Sequence, residues 1–205
     1  MISPGCRYGY KPFDIVSPTG STEHRFLLLE EDPVPDDNKL ITREEQPLSG
    51  TAITEMTQRE QWNKKNPPVE TTIVKNLKTT ELVAREYRGT KARFYRLSGA
   101  IRLQPHLSEL PPGKPSVNHR HTTEAVLYIV KGKGHTMMGF DGEELQRVDW
   151  EEGDLIGIPL WAWHQHFNDS DTDTARYLAI QDTFTIKQLG LHQIERHPDC
   201  PAGEE

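Results

Sequence analysis

Residues 113–132 read GKPSVNHRHTTEAVLYIVKG and residues 153–168 read GDLIGIPLWAWHQHFN, and the interpretation of the whole chain turns on these two stretches. Each holds two histidines separated by one residue, His119/His121 and His164/His166. Side chains alternate across a β-strand, so residues i and i+2 project together, and a His-x-His pair on an inward face aims both imidazoles at one point. A third histidine from a neighbouring strand completes a facial set that leaves positions on a metal free for substrate and dioxygen, the arrangement non-haem iron oxygenases need. His119, His121 and His164 are therefore the candidate metal ligands. If His119 and His121 face inward, so does Ala125, while Glu124 points away, which predicts three imidazole ligands and no carboxylate. A change of phase at Thr122 and Thr123 would instead bring Glu124 to the metal.

Outward from these stretches the pattern is one of short apolar runs separated by turn signals, as in an all-β sandwich or barrel. The runs at 92–96, 100–104, 125–130, 135–140, 145–150, 155–158, 163–167 and 176–183 are the expected strands. Asp141-Gly142 falls between two of them and is a hairpin signal, because both residue types tolerate positive φ. Gly132, Gly134 and Gly153 punctuate the others. Upstream, TQREQWNKK at 57–65 has helix formers and is stopped by Pro67 and Pro68, so a short helix is expected there. Residues 1–55 are rich in Pro, Gly, Asp and Glu around one apolar run at 26–29, and are expected to form an irregular arm with an isolated strand. The expected division is an arm over 1–85, a barrel over 86–190 and a tail over 191–205. There is no repeat with a period of 20 to 50 residues.

The two quoted stretches resemble the two signature motifs of the cupin superfamily. In the first, Gly113 stands six residues before His119 and Gly132 closes the motif in register; in the second, Gly153, Pro159, His164 and Asn168 keep the family spacing, and Trp161 replaces the usual glycine. Many cupins carry a glutamate ligand at the slot filled here by Ala125. The resemblance covers about 103–169 strongly and implies a double-stranded β-helix, a closed jelly roll with the site inside the barrel. HRHT before an apolar run and W-H-x-H-x-N in the second motif are similar to gentisate 1,2-dioxygenase and its relatives. Those are usually longer chains with two cupin barrels, whereas 205 residues leave room for one.

The implied activity is an Fe(II)-dependent dioxygenase that uses O2 to open an aromatic ring or to cleave a carbon-carbon bond beside a phenolic oxygen. Cupins also act as isomerases, lyases or decarboxylases with Mn, Ni or Zn, and some bind ligands without catalysis. In the gentisate-like reading His166 is an acid or base beside the substrate, and its plain alternative is a structural partner of Asn168 or of backbone. Trp161 and Trp163 are candidates for an aromatic wall or for simple packing. Arg102 or Gln104 is a candidate for orienting a substrate oxygen, with a solvent-facing edge as the alternative. Asp182 occupies a place where the gentisate family also has an acidic residue. Arg120 is expected to point outward, and His24, His106, His135, His192 and His197 have no paired partner and no assigned role.

Composition limits the partners. A net charge of -7 and a pI near 5.7 leave no broad cationic surface for phosphates or acidic lipid, which points away from nucleic acid and membranes and toward a small molecule. Cys6 and Cys200 have neither disulfide-framework nor metal spacing, which fits a reducing cytoplasm, and the N-terminus lacks a signal-peptide pattern. The arm, with little core of its own, is expected to pack across a neighbouring subunit of a homo-oligomer.

Overall fold

A computed structural model describes residues 49–199. The described residues all belong to one compact unit. The expected strand at 26–29, the rest of the arm before Ser49, and His24, Cys6 and Cys200 lie outside the described residues.

Helix α1, Gly50–Lys65, begins where Ser49 caps it, the hydroxyl accepting from the Ala52 N–H at 3.1 Å. It starts seven residues before the expected 57, although Gly50, Thr51, Ile53 and Thr54 are poor helix formers. The cap and the burial of Ala52, Glu55, Arg59 and Trp62 on one face outweigh propensity. Lys64 and Lys65 complement the negative end of the helix dipole, and Pro67 ends the run.

The strands are β1 Val69–Thr71, β2 Val83–Arg85, β3 Thr90–Leu97, β4 Gln104–Leu110, β5 His119–His121, β6 Ala125–Lys131, β7 Lys133–Gly139, β8 Gln146–Glu151, β9 Leu155–Ile158, β10 Trp163–Asn168 and β11 Ala175–Gln181. A short helix, α2 Thr183–Gln188, precedes β12 Ile194–Arg196. One sheet runs β1-β3-β4-β11-β6-β9 with β2 beside β3, and the other runs β12-β5-β10-β7-β8. Every pairing is antiparallel except β1 with β3. The two sheets face each other as a jelly roll, and Leu127, Ile129, Ile156, Ile158, Met138, Trp150 and Tyr177 form the core between them. Strands β1, β2 and β12 come from both sides of the span 86–190 expected to form the barrel.

One expectation about the strands is corrected. Residues 100–104 do not form a strand: Ile101 and Leu103 are exposed in a bend, and β4 begins only at Gln104. All seven residues of β4 are buried, yet its cavity face carries His106 while Leu107 faces the opposite way, under Val74, Leu77 and Leu82. At His106 and Leu107 the usual alternation of apolar-inside and polar-outside is thus reversed, which hides the strand from a hydrophobic pattern. The β7–β8 hairpin turns at Asp141-Gly142 as expected, with Gly142 at positive φ, 79°, and a connection over 140–145.

Candidate metal centre

Strands β5 and β10 lie side by side with His119 opposite His164, and His121 follows two residues along β5 on the same face. The alternation that makes i and i+2 neighbours thus assembles three imidazoles, with ring centroids 4.2 Å (His119–His164), 4.9 Å (His121–His164) and 5.7 Å (His119–His121) apart. One nitrogen from each lies within 4.8 Å of the others, and all three residues are buried.

Hydrogen bonds determine which nitrogen is presented. Nδ1 of His119 lies 2.9 Å from the Val117 carbonyl, Nδ1 of His121 2.8 Å from the Thr123 carbonyl, and Nδ1 of His164 2.9 Å from the Ala162 carbonyl. A carbonyl only accepts, so each Nδ1 carries the proton and each Nε2 keeps its lone pair. The Gln181 side-chain amide N–H donates to Nε2 of His121 at 3.2 Å, in agreement with that tautomer. Burial pushes the His119 and His121 imidazoles well below the ordinary histidine range and His164 to about 4, so the rings stay neutral near pH 7. Three neutral, convergent lone pairs suit a divalent cation, and backbone partners on the far nitrogens are what orient metal-binding histidines. Glu124 is exposed and its N–H is bonded to Asp182 Oδ1, whereas Ala125 lines the cavity.

Residues 106–181, which hold all of these histidines, match the family description of the cupin domain. These residues fold as a cupin barrel. Among its relatives, 1-hydroxy-2-naphthoate 1,2-dioxygenase of Nocardioides sp. (strain KP7) is 34% identical over 88 residues, 43% of this chain and 22% of that protein. Gentisate 1,2 dioxygenase 1 of Aquipseudomonas alcaligenes is 42% identical over 60 residues, 29% of this chain and 16% of that protein. The match therefore spans about a fifth of the length of these curated relatives. A solved salicylate 1,2-dioxygenase from Pseudaminobacter salicylatoxidans superposes with a TM-score of 0.46 at 16% identity, over 70% of this chain and 37% of that one. The cupin resembles the gentisate-type dioxygenases.

The cavity around the triad is small, about 30 Å³, and its walls are more basic than the motifs suggested. Arg59 of α1, Arg85 at the end of β2 and Arg88 just after it all line it and are all buried. Arg88 pairs with Glu55, which also receives Arg196; burial raises the Glu55 carboxyl, but the two guanidiniums outweigh it and hold it below the usual range. Arg59 and Arg85 have no carboxylate partner among the described residues. Their guanidiniums instead lie against the Phe94 ring, 5.1 and 5.8 Å from its centroid, and burial pushes Arg59 down to about 10. His106, left without a role by the sequence reading, also lines the cavity, stacked on Phe94 at 4.6 Å.

The remaining candidates are placed as follows. His166 lines the cavity with its ring 5.5 Å from that of His164. Gln104 is buried opposite Gln181, but it is Gln181 that lines the cavity, and Arg102 is exposed. Trp161 and Trp163 lie outside the cavity lining, where they hold Arg120 at 4.5 and 4.2 Å from their rings. Trp161 has φ +62°, which explains why the family places glycine at this slot, and the Arg120 contact compensates for the strain. Asp182 stands away from the cavity, accepting from the Glu124 N–H. A second cluster, His135, Asp149 and Asp169, sits outside the barrel with both carboxylates already bonded to Arg147.

Proposed function

We propose that this cupin is an Fe(II)-dependent dioxygenase for a hydroxylated aromatic acid, opening the ring or cleaving a carbon-carbon bond beside a phenolic oxygen. One juxtaposition carries the reading: three convergent imidazole lone pairs share a buried cavity with the unpaired guanidiniums of Arg59 and Arg85. The triad suits a cation and the arginines suit an anion, and an aromatic ring bearing both a phenolic oxygen and a carboxylate satisfies both. Neutral ligands leave a metal its full charge, which an anionic substrate compensates. The names of the relatives, gentisate and 1-hydroxy-2-naphthoate dioxygenases, belong to substrates of this kind.

Iron held by His119, His121 and His164 would supply the redox chemistry with dioxygen that side chains lack. The rest falls to the protein. Arg59 and Arg85 orient the carboxylate through charge-assisted hydrogen bonds, and Leu127 and Tyr177 supply apolar walls. His166 holds a proton beside the substrate. A cavity of about 30 Å³ is far below the roughly 150 Å³ that accommodates benzene, so a ring is admitted only when wall side chains move. Arg59, on α1, belongs to the wall outside the barrel strands. No helix among the described residues is long and apolar enough to cross a membrane, and a cytoplasmic homo-oligomer belongs to the same proposal.

Oxygen uptake by the Fe(II)-loaded chain tests it, with hydroxylated aromatic acids set against the same phenols without the carboxylate. Uptake confined to the acids is expected. No uptake, or equal uptake with the plain phenols, contradicts the reading, and turnover with Mn, Ni or Zn without oxygen consumption would transfer the chain to the isomerase, lyase or decarboxylase class.

A further inference from the structure

His166 differs from the triad in what holds its ring. Each of the three other Nδ1 atoms meets a carbonyl, with the Thr123 hydroxyl a further contact of His121 at 3.0 Å, whereas Nδ1 of His166 meets, among the described residues, only the hydroxyl of Thr136 at 2.9 Å, on a side chain with no exposed surface. The same hydroxyl oxygen receives the indole N–H of Trp150 at 3.1 Å. An indole N–H only donates, so it takes a lone pair of Thr136 Oγ1, and the hydroxyl hydrogen then needs an acceptor of its own. Among the described residues the acceptor within reach is Nδ1 of His166.

We infer that Thr136, backed by Trp150, is a positioning residue that sets the tautomer of His166: Nδ1 keeps its lone pair and the single ring proton sits on Nε2. The ring is neutral in either tautomer, so the difference is where one proton resides. The triad shows the cavity lone pairs, whereas His166 shows it an N–H. That assignment separates two histidines only two residues apart: a lone pair can ligate a metal, and an N–H can bind an oxygen anion. On the proposed reading of the cavity as a substrate site, His166 donates to an oxygen of the aromatic acid and stays out of the metal's ligand set.

The local build of the sheet serves this relay. Thr136 lies opposite His166 across β7 and β10, and Trp150 lies opposite Gly134 across β7 and β8. A Cβ at Gly134 would fall 2.6 Å from the Trp150 ring and would also strike the Phe167 carbonyl. The bare glycine lets the indole lie across β7 and reach the hydroxyl two residues on.

Long-range 1H–15N spectra of the full-length chain, stripped of metal by chelation, report which nitrogen of each histidine is protonated. The expected pattern is Nδ1–H for His119, His121 and His164 and Nε2–H for His166. Thr136→Val, which keeps the shape and loses the hydroxyl, is expected to move the His166 proton wholly or partly to Nδ1, and Thr136→Ser to keep it on Nε2. Nδ1–H on His166 in the unsubstituted chain overturns the inference, as does a Val variant whose tautomer is unchanged. If the Val variant does not fold, the unsubstituted spectrum decides alone. The measurement needs neither metal nor turnover, so its outcome and that of the dioxygenase reading are separable.

Discussion

Arg59 is a cation with 7% of its surface exposed and no ion-pair partner among the described residues, which is costly for the fold and useful only if a ligand brings the anion. Arg59→Met is therefore expected to leave iron content and thermal stability at or above the starting level while raising KM for an aromatic acid roughly 10–100-fold, the range for a lost hydrogen bond to a charged group. An unchanged KM, or a marked loss of stability, would show the guanidinium to be structural. The triad was legible in the sequence because its spacing is local: two residues separate His119 from His121, and a motif spacing links them to His164. Arg59 was not, because it approaches the site from a helix 60 residues upstream of His119 and has no motif around it. Trp161 and Trp163 show the converse, since proximity to His164 along the chain sent their rings to Arg120 and not into the cavity.

At the scale of elements, α1 is held by charge as much as by apolar packing. Its inner face reads Ala52, Glu55, Arg59, Trp62, and the fully buried Glu55 carboxylate bonds Arg88 at 2.5 Å and Arg196 at 2.9 Å, joining the helix to the segment after β2 and to β12. Replacing Glu55 by Gln leaves two buried guanidiniums without their counter-charge, and a loss of about 3–5 kcal/mol is expected from urea unfolding. A loss below about 1 kcal/mol would mean that solvent reaches the network. The polar inner face also explains why only the second half of the helix was foreseen: a hydrophobic period cannot register a stripe whose middle is an ion-pair network. Strand β4 escaped for a related reason, its cavity side carrying His106 where a core residue would normally lie. By contrast, the strand at 155–158 was foreseen at both ends and β6, β7 and β10 nearly so, because their inward residues are apolar or belong to the motifs.

For the molecule as a whole, burying neutral histidines makes stability depend on pH in a definite direction. Burial depresses His119, His121, His164 and His166, so between the ordinary histidine range and the depressed values the unfolded chain binds more protons than the folded one. Stability is thus fully present above about pH 6.5 and falls as acid is added toward pH 4, with His164 alone, at about 4, contributing on the order of 3 kcal/mol. A urea midpoint for the metal-free chain that stays flat from pH 7 to about 4.5 would contradict this. The central claim, that the barrel binds one metal through His119, His121 and His164, is tested most directly by anaerobic Fe(II) binding to the unsubstituted chain and to single Ala variants at four positions. One iron per chain is expected for the unsubstituted protein, with binding lost on replacing His119, His121 or His164 and retained at saturating Fe(II) on replacing His166, apart from an affinity loss of about 10–100-fold. Iron that survives the triad substitutions, or disappears only when His166 is replaced, would contradict the account.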